Sequence, residues 1–302
     1  MVEKKSYSYF IGGVIICFFG AICFSTKAIF VKLAYRETPV DPVSLLALRM
    51  IFSLPFFVAS AWWSSTKSEN VRVTRKQWLA VAGIGCLGYY ISSLLDFLGL
   101  QYVTAGIERL ILFVYPTMVL LMSAFILNVK IRPAQWLALL ITYAGLMIAF
   151  WGEVSFEDQP GHFYKGVLLI FVCAITYAIY IVGSGQLIPL IGASKFNSYA
   201  MSFAAVAVIL HFLVVNDNSL FNLDPQIYTY SFLMAIIGTV IPSYLVASGI
   251  KRVGSDNAAI IGSIGPVSTI VQAFFFLQEP IHLLQLTGTA LILAGILMIS
   301  KK

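Results

Sequence analysis

Five ionisable residues stand inside apolar stretches of this chain: Lys27, Arg49, Asp96, Glu108 and Arg109. Charge is otherwise scarce, with 11% Asp, Glu, Lys and Arg against 60% hydrophobic residues. An ionised side chain deep in an apolar helix costs at least about 2.5–3.5 kcal/mol on insertion scales, so it must face a cavity or a partner. Lys27 reads as a contact for an anionic group or as half of a gating salt bridge; a packing pair with Asp96 or Glu108 is the structural alternative. The Arg49 fork can hold a carboxylate or phosphate through two parallel hydrogen bonds, where a lysine cannot. Its alternative is bonding to helix ends and carbonyls. Asp96, Glu108 and Arg109 read as gating or coupling groups, because a carboxylate shielded from water can tie its proton to a neighbouring site. Adjacent helix positions point about 100° apart, so Glu108 and Arg109 do not both face one cavity squarely. Tyr89, Tyr115 and Tyr177 offer hydroxyls within the apolar runs and join Lys27 and Arg49 as candidate substrate contacts.

The elements that must carry these residues are membrane helices. Mean hydropathy is +0.91, and apolar runs of about 20 residues recur from end to end, each matching a hydrocarbon core roughly 30 Å thick. No single soluble core buries so many such runs in 302 residues. The expected spans are 10–35, 43–63, 77–99, 103–127, 134–151, 163–186, 195–215, 227–250, 257–277 and 283–300. The first is too long for a signal peptide, carries Lys27, and lacks a small-x-small cleavage site. With the N-terminus inside, the inner segments hold Lys4, Lys5, Lys67, Arg72, Arg75, Lys76, Lys130, Arg132, Lys195, Lys251, Arg252, Lys301 and Lys302. The outer segments hold only Arg36 and Lys165, with most of the acids. This positive-inside pattern predicts a multi-pass protein of the inner (plasma) membrane with both termini in the cytoplasm. It also accounts for the net charge of +6 without a nucleic-acid partner, because the cations form no patch on one exposed domain.

Metal, cofactor and redox readings find no support. Cys17, Cys23, Cys86 and Cys173 lie in apolar spans without Cys-x-x-Cys spacing, and His162, His211 and His282 are far apart in sequence. An intramembrane enzyme needs a nucleophile–base or metal constellation at membrane depth, so it stands, with a channel-like passive facilitator, as the alternative function.

The chain repeats itself at an offset of 150. Gly99, Val103, Ile111 and Pro116 recur as Gly249, Val253, Ile261 and Pro266, and further identities extend from Cys23/Cys173 to Gly145/Gly295. The charges do not repeat: Asp96, Glu108 and Arg109 become Val246, Ala258 and Ala259, and Lys27 and Arg49 become Tyr177 and Tyr199. The expected organisation is a first five-helix repeat over residues 1–152, an outer linker over 153–162 and a second repeat over 163–302. An odd number of spans makes the second repeat enter the membrane from the opposite side, which is a plan of secondary transporters with the site at the repeat interface. The expected fold is therefore all-α, with ten transmembrane helices as two inverted five-helix repeats. Pro116 and Pro266, at matched places inside spans four and nine, are expected hinges, since each removes a backbone hydrogen bond.

Four stretches carry a family resemblance: Phe24-Ser-Thr-Lys-Ala-Ile-Phe-Val-Lys32, Leu46-Ala-Leu-Arg49, Gly106-Ile-Glu-Arg-Leu-Ile-Leu-Phe-Val-Tyr-Pro116, and Gln278-Glu-Pro280 ahead of the Gly295 helix. The chain resembles, over essentially its whole length, the EamA-like family of the drug/metabolite transporter superfamily. That resemblance implies a ten-helix bacterial inner-membrane carrier of a small-molecule substrate, most simply an amino acid or related organic anion, with export favoured. It implies alternating access, with the two five-helix units rocking about a central site. The carrier is expected to lie in the lipid bilayer as a monomer or homodimer, without cofactor, and with Asp96 and Glu108 available for proton coupling.

Overall fold

The computed structural model describes residues 2–37, 40–66, 71–149, 151, 162–215, 220–278 and 283–300, and among these every regular element is a helix. Most of the expected outer linker, Lys67, His282 and the Glu279–Pro280 pair lie outside the described residues. Ten helical units follow one another. They are α1 (Val2–Glu37), α2 (Pro42–Thr66), α3 (Arg75–Gly99), α4 (Ala105–Leu112, resuming as Tyr115–Leu127) and α5 (Pro133–Ala149), then α6 (Phe163–Ile191), α7 (Ala193–Val215), α8 (Pro225–Val253), α9 (Ser255–Ile261, resuming as Ile264–Leu277) and α10 (Leu283–Ser300). Eight are long and apolar enough to cross a membrane, while α5 and α10 are shorter apolar helices. The all-α membrane fold read from the sequence is the one observed.

Local chemistry sets where the helices begin. The Asp41 side chain accepts from the amides of Val43 and Ser44 at 2.9 and 3.0 Å. Thr74 and Gln77 form a reciprocal capping box at the start of α3, the Thr104 hydroxyl accepts from Ile107 N at 3.1 Å, and the Asp224 carboxylate accepts from Gln226 N at 2.8 Å. Each satisfies amides that the first helical turn leaves without partners. Two helices outrun their expected limits: α1 begins near the N-terminus, and α6 runs five residues beyond Gln186 with Pro189 inside it.

The 150-residue echo is written into the backbone. A widened π-helical turn occupies Cys86–Ile91 in α3 and Ile236–Val240 in α8. The breaks in α4 and α9 fall at 113–114 and 262–263, and the left-handed residues closing these helices are Asn128 (φ 55°) and Gln278 (φ 59°). Pro242 follows the second widened turn, but its counterpart is Ser92, so proline alone does not cause the feature. What the two turns share is a glycine in close contact. A Cβ on Gly88 would collide with the Tyr180 ring, and one on Gly238 would sit 3.4–3.5 Å from Lys27.

The halves interlock instead of lying side by side. The most extensive helix–helix contacts are α5 with α10, α1 with α8, α2 with α7, α1 with α9 and α3 with α6, each joining one half to the other. Without a hydrophobic driving force between helices in lipid, close packing of small residues supplies the attraction. At the α5–α10 crossing a Cβ on Gly145 would lie 2.6 Å from the Gly288 carbonyl oxygen, and one on Gly288 would strike Gly145 in return. A Gly288→Val substitution should therefore force the pair apart and cost about 1–3 kcal/mol, the usual range for overpacking. Gly83→Ala is the control, because nothing lies within 4 Å of its added Cβ. Thermal unfolding of the detergent-solubilised protein should show a lower midpoint for the first variant and an unchanged one for the second.

Candidate functional site

A cavity lies between the halves, with walls from α1, α3 and α4 of the first and α6, α8 and α9 of the second. It measures about 60 Å³, counted as the volume open to the centre of a water-sized sphere, and so has room for several waters. Phe24, Ser25, Lys27, Arg109, Tyr115, Tyr177 and Pro266 are among its lining residues. Among the described residues, Lys27 and Arg109 are the only Lys, Arg, Asp or Glu on the wall.

Four charges form one buried set at its edge. Lys27 Nζ stands 2.6 Å from Asp96 Oδ2, and Arg109 Nε stands 3.0 Å from Glu108 Oε2. The Asp96 and Glu108 carboxyl groups are neighbours, and all four side chains are buried. Two cations stand against two carboxyl groups, and such pairing is how these groups are tolerated away from water. The carboxylates do not line the cavity, whereas their two partners do. Arg109 Nη2 has no hydrogen-bond partner among the described residues. The expectation that adjacent residues 108 and 109 diverge matches this arrangement in part: only Arg109 reaches the wall, although the two side chains also touch each other.

The helix breaks supply the rest of the polar surface. A proline cannot donate to the carbonyl four residues before it, and the discontinuities in α4 and α9 sit within four residues upstream of Pro116 and Pro266. Hydroxyls from the first half bond to carbonyls beside the α9 break: Tyr115 donates to Ala259 O at 3.0 Å, and Ser25 donates to Gly265 O at 3.0 Å. Pro116 is buried in packing, while Pro266 lines the cavity. Aromatic rings build the remaining wall. Tyr177 contacts Phe24 (5.9 Å between centroids), Tyr115 (5.2 Å) and Tyr180 (5.8 Å).

Arg49 and Tyr89 occupy a separate place. Arg49 is fully buried and does not line the cavity. Its Nε donates to Thr239 Oγ1 at 2.7 Å and its Nη1 to Ser93 Oγ at 3.4 Å. The guanidinium carbon lies 5.5 Å from the Phe97 ring centroid. Thr239 belongs to the widened turn of α8 and Ser93 follows that of α3, so Arg49 ties the two irregular turns together across the halves. Tyr89 packs against Tyr180 with centroids 5.0 Å apart, behind the lining rings. Lys32 donates to the carbonyls of Leu100 and Val103 at 2.7 and 2.5 Å, closing the end of α3.

Sequence reasoning did not single out Phe24, Ser25 or Ser92 as wall residues, and it treated Cys17 and Cys173 as packing although both line the cavity. The available signal was the Gly262–Pro266 stretch, whose broken hydrogen bonds require donors from another helix. Nothing in the sequence says which helix supplies them. Among the described residues, no three His, Cys, Asp or Glu side chains converge as a metal site.

Ten apolar helices in two matched sets of five, six of them walling one shared cavity, have the plan of a membrane transporter. The chain belongs to the EamA-like transporter family, whose sequence profile matches residues 11–151 and again residues 164–301. The uncharacterized transporter YcbK of Bacillus subtilis is 31% identical over 284 residues, covering 91% of this chain and 88% of that protein. An uncharacterized transporter of Archaeoglobus fulgidus is 20% identical over 275 residues, covering 91% of this chain and 92% of its own length. A protein of known crystal structure shares the fold with a TM-score of 0.76 at 18% identity, covering 95% of this chain and 96% of that one.

The buried pair gives a direct test of the site's construction. Removing one partner of such a pair strands a charge and costs about 3–5 kcal/mol, whereas apolar replacement of both is often neutral. Lys27→Met and Asp96→Leu should each lower stability strongly, and the double variant should recover at least half of either loss. A double-mutant cycle by detergent unfolding reads this out; additive losses would show that the two side chains do not depend on each other.

Proposed function

We propose that this chain is a secondary transporter that moves a small polar metabolite, an amino acid or related organic anion, across the inner membrane by alternating access. Export is the direction favoured by the family resemblance, and the distribution of Lys and Arg supports cytoplasmic termini. The observation that carries the substrate reading is the cavity wall itself: it presents Lys27 and Arg109, while Asp96 and Glu108 stand behind them. Tyr115 and Tyr177 complete the contact surface, and Arg49 and Tyr89 support it from the layer behind.

The interlocked halves favour local movement over rocking of two intact blocks. In this reading α4 and α9 bend at their breaks beside Pro116 and Pro266, and the cross-half bonds to Ala259 O and Gly265 O open and close with them. A charge argument links Asp96 and Glu108 to coupling. The empty set is neutral, so an anion entering it leaves one negative charge in excess, and one proton taken by either carboxylate restores neutrality.

Counterflow in proteoliposomes with a panel of labelled amino acids and organic acids tests this. Lys27→Gln and Arg109→Gln should each reduce transport at least about tenfold, the equivalent of roughly 1.4 kcal/mol, in protein that remains folded. Normal transport by both variants would end the proposal. An imposed proton gradient should change the wild-type rate, and Asp96→Asn together with Glu108→Gln should remove that dependence; a wild-type rate indifferent to the gradient would withdraw the coupling role.

A further inference from the structure

We infer that the solute is an organic anion without an ammonium group, of the 2-oxo acid type with a short apolar side chain, and not a zwitterionic amino acid. This rests on the reading of the cavity as the transport site and narrows it. An amino acid brings a carboxylate and an ammonium group, and a site for it must supply donors for one and acceptors or negative charge for the other. The wall supplies the first in excess. Lys27 and Arg109 both face the cavity, and Arg109, only 5% exposed, holds Nη2 without a hydrogen-bond partner among the described residues. A buried guanidinium nitrogen in that state is matched by an acceptor oxygen, and the planar fork suits a carboxylate.

The second requirement is not met. Among the described residues no carboxylate lines the cavity. The backbone carbonyls around the α9 break already accept hydrogen bonds: Ala259 O from Tyr115 at 3.0 Å, Gly262 O from Gly265 N at 2.9 Å, and Gly265 O from Ser25 at 3.0 Å and from Thr269 at 3.1 Å. The Ser92 hydroxyl is 3.4 Å from Cys173 Sγ. Aromatic faces, the remaining means of holding an ammonium group, are likewise occupied. Lys27 Nζ lies 5.1 Å from the Phe24 centroid, and Tyr177 is held against Phe24, Tyr115 and Tyr180. Leu112, Ile181, Val246 and Pro266 give part of the wall an apolar surface that suits a short hydrocarbon body, and the other polar groups on it, such as Ser93, Tyr115 and Tyr177, are uncharged hydroxyls.

Three probes with the same branched body separate the cases: 4-methyl-2-oxopentanoate (anion), leucine (zwitterion) and 3-methylbutylamine (cation). Each is titrated against wild-type protein in detergent, with the unfolding midpoint as readout, and each is used as the trans solute in counterflow. The oxo acid should bind at least about tenfold more tightly than the other two and should support counterflow, and Arg109→Gln should abolish its effect on the midpoint. Leucine binding as tightly as the oxo acid, or more tightly, would overturn this inference and leave the transport reading standing. Binding of the amine alone would overturn both. If wild-type protein binds none of the three, this inference falls, and the wider amino-acid and organic-acid panel decides the broader reading separately.

Discussion

Hydrocarbon offers no water to a polar group, and that constraint governs nearly every feature of this molecule. Lys27, Asp96, Glu108 and Arg109 are buried together because each is tolerable only in the company of the others. Carbonyls beside the break in α9 find hydroxyls, and the end of α3 finds the Lys32 ammonium. In the bonds to Ala259, Gly265 and Thr239 the donor comes from the first half and the acceptor from the second. Polar satisfaction thus binds the halves to each other, alongside the close glycine contacts at the α5–α10 crossing.

The two halves share a backbone plan and differ in chemistry. Widened turns and left-handed terminal residues recur at the 150-residue offset and the helix breaks within one residue of it, whereas the charges occur once. A backbone irregularity is set by glycine, proline and hydroxyl groups, and these survive at matched positions. The carboxylates and cations stand against Val246, Ala258 and Ala259 in the sequence comparison. The second half therefore contributes carbonyls, small residues and apolar wall, and the first contributes the charge. A cavity built this way has a polar side and a bland side, which gives a bound solute a preferred orientation.

Burial also separates two arginines that look alike in sequence. Arg109 is on the cavity wall beside its partner Glu108, and Arg49 lies off the wall, tied to the irregular turns of α3 and α8. The first arrangement suits recognition of an anion. The second fixes the relative placement of two helices whose distorted turns leave them short of ordinary packing.

Much of the fold was legible from the chain alone, because membrane helices announce themselves through length and apolarity, and a constant offset exposes the duplication. The places of the helix breaks were legible for a similar reason: Pro116 and Pro266 disrupt hydrogen bonding wherever they stand. The widened turns were not: Pro242 stands just after one and Ser92 at the matched place after the other, so no proline common to both marks them. Nor was the division of labour among the charges. The sequence placed Lys27, Asp96, Glu108 and Arg109 on three helices within a few turns of one another, and it listed the pairings open to them. Only the tertiary structure decided that Lys27 joins Asp96, that Arg109 joins Glu108, and that the two cations face the cavity while the acids stand behind. Pairing in a low-dielectric interior is fixed by distances of a few ångströms between helices, and no spacing along the chain encodes those distances.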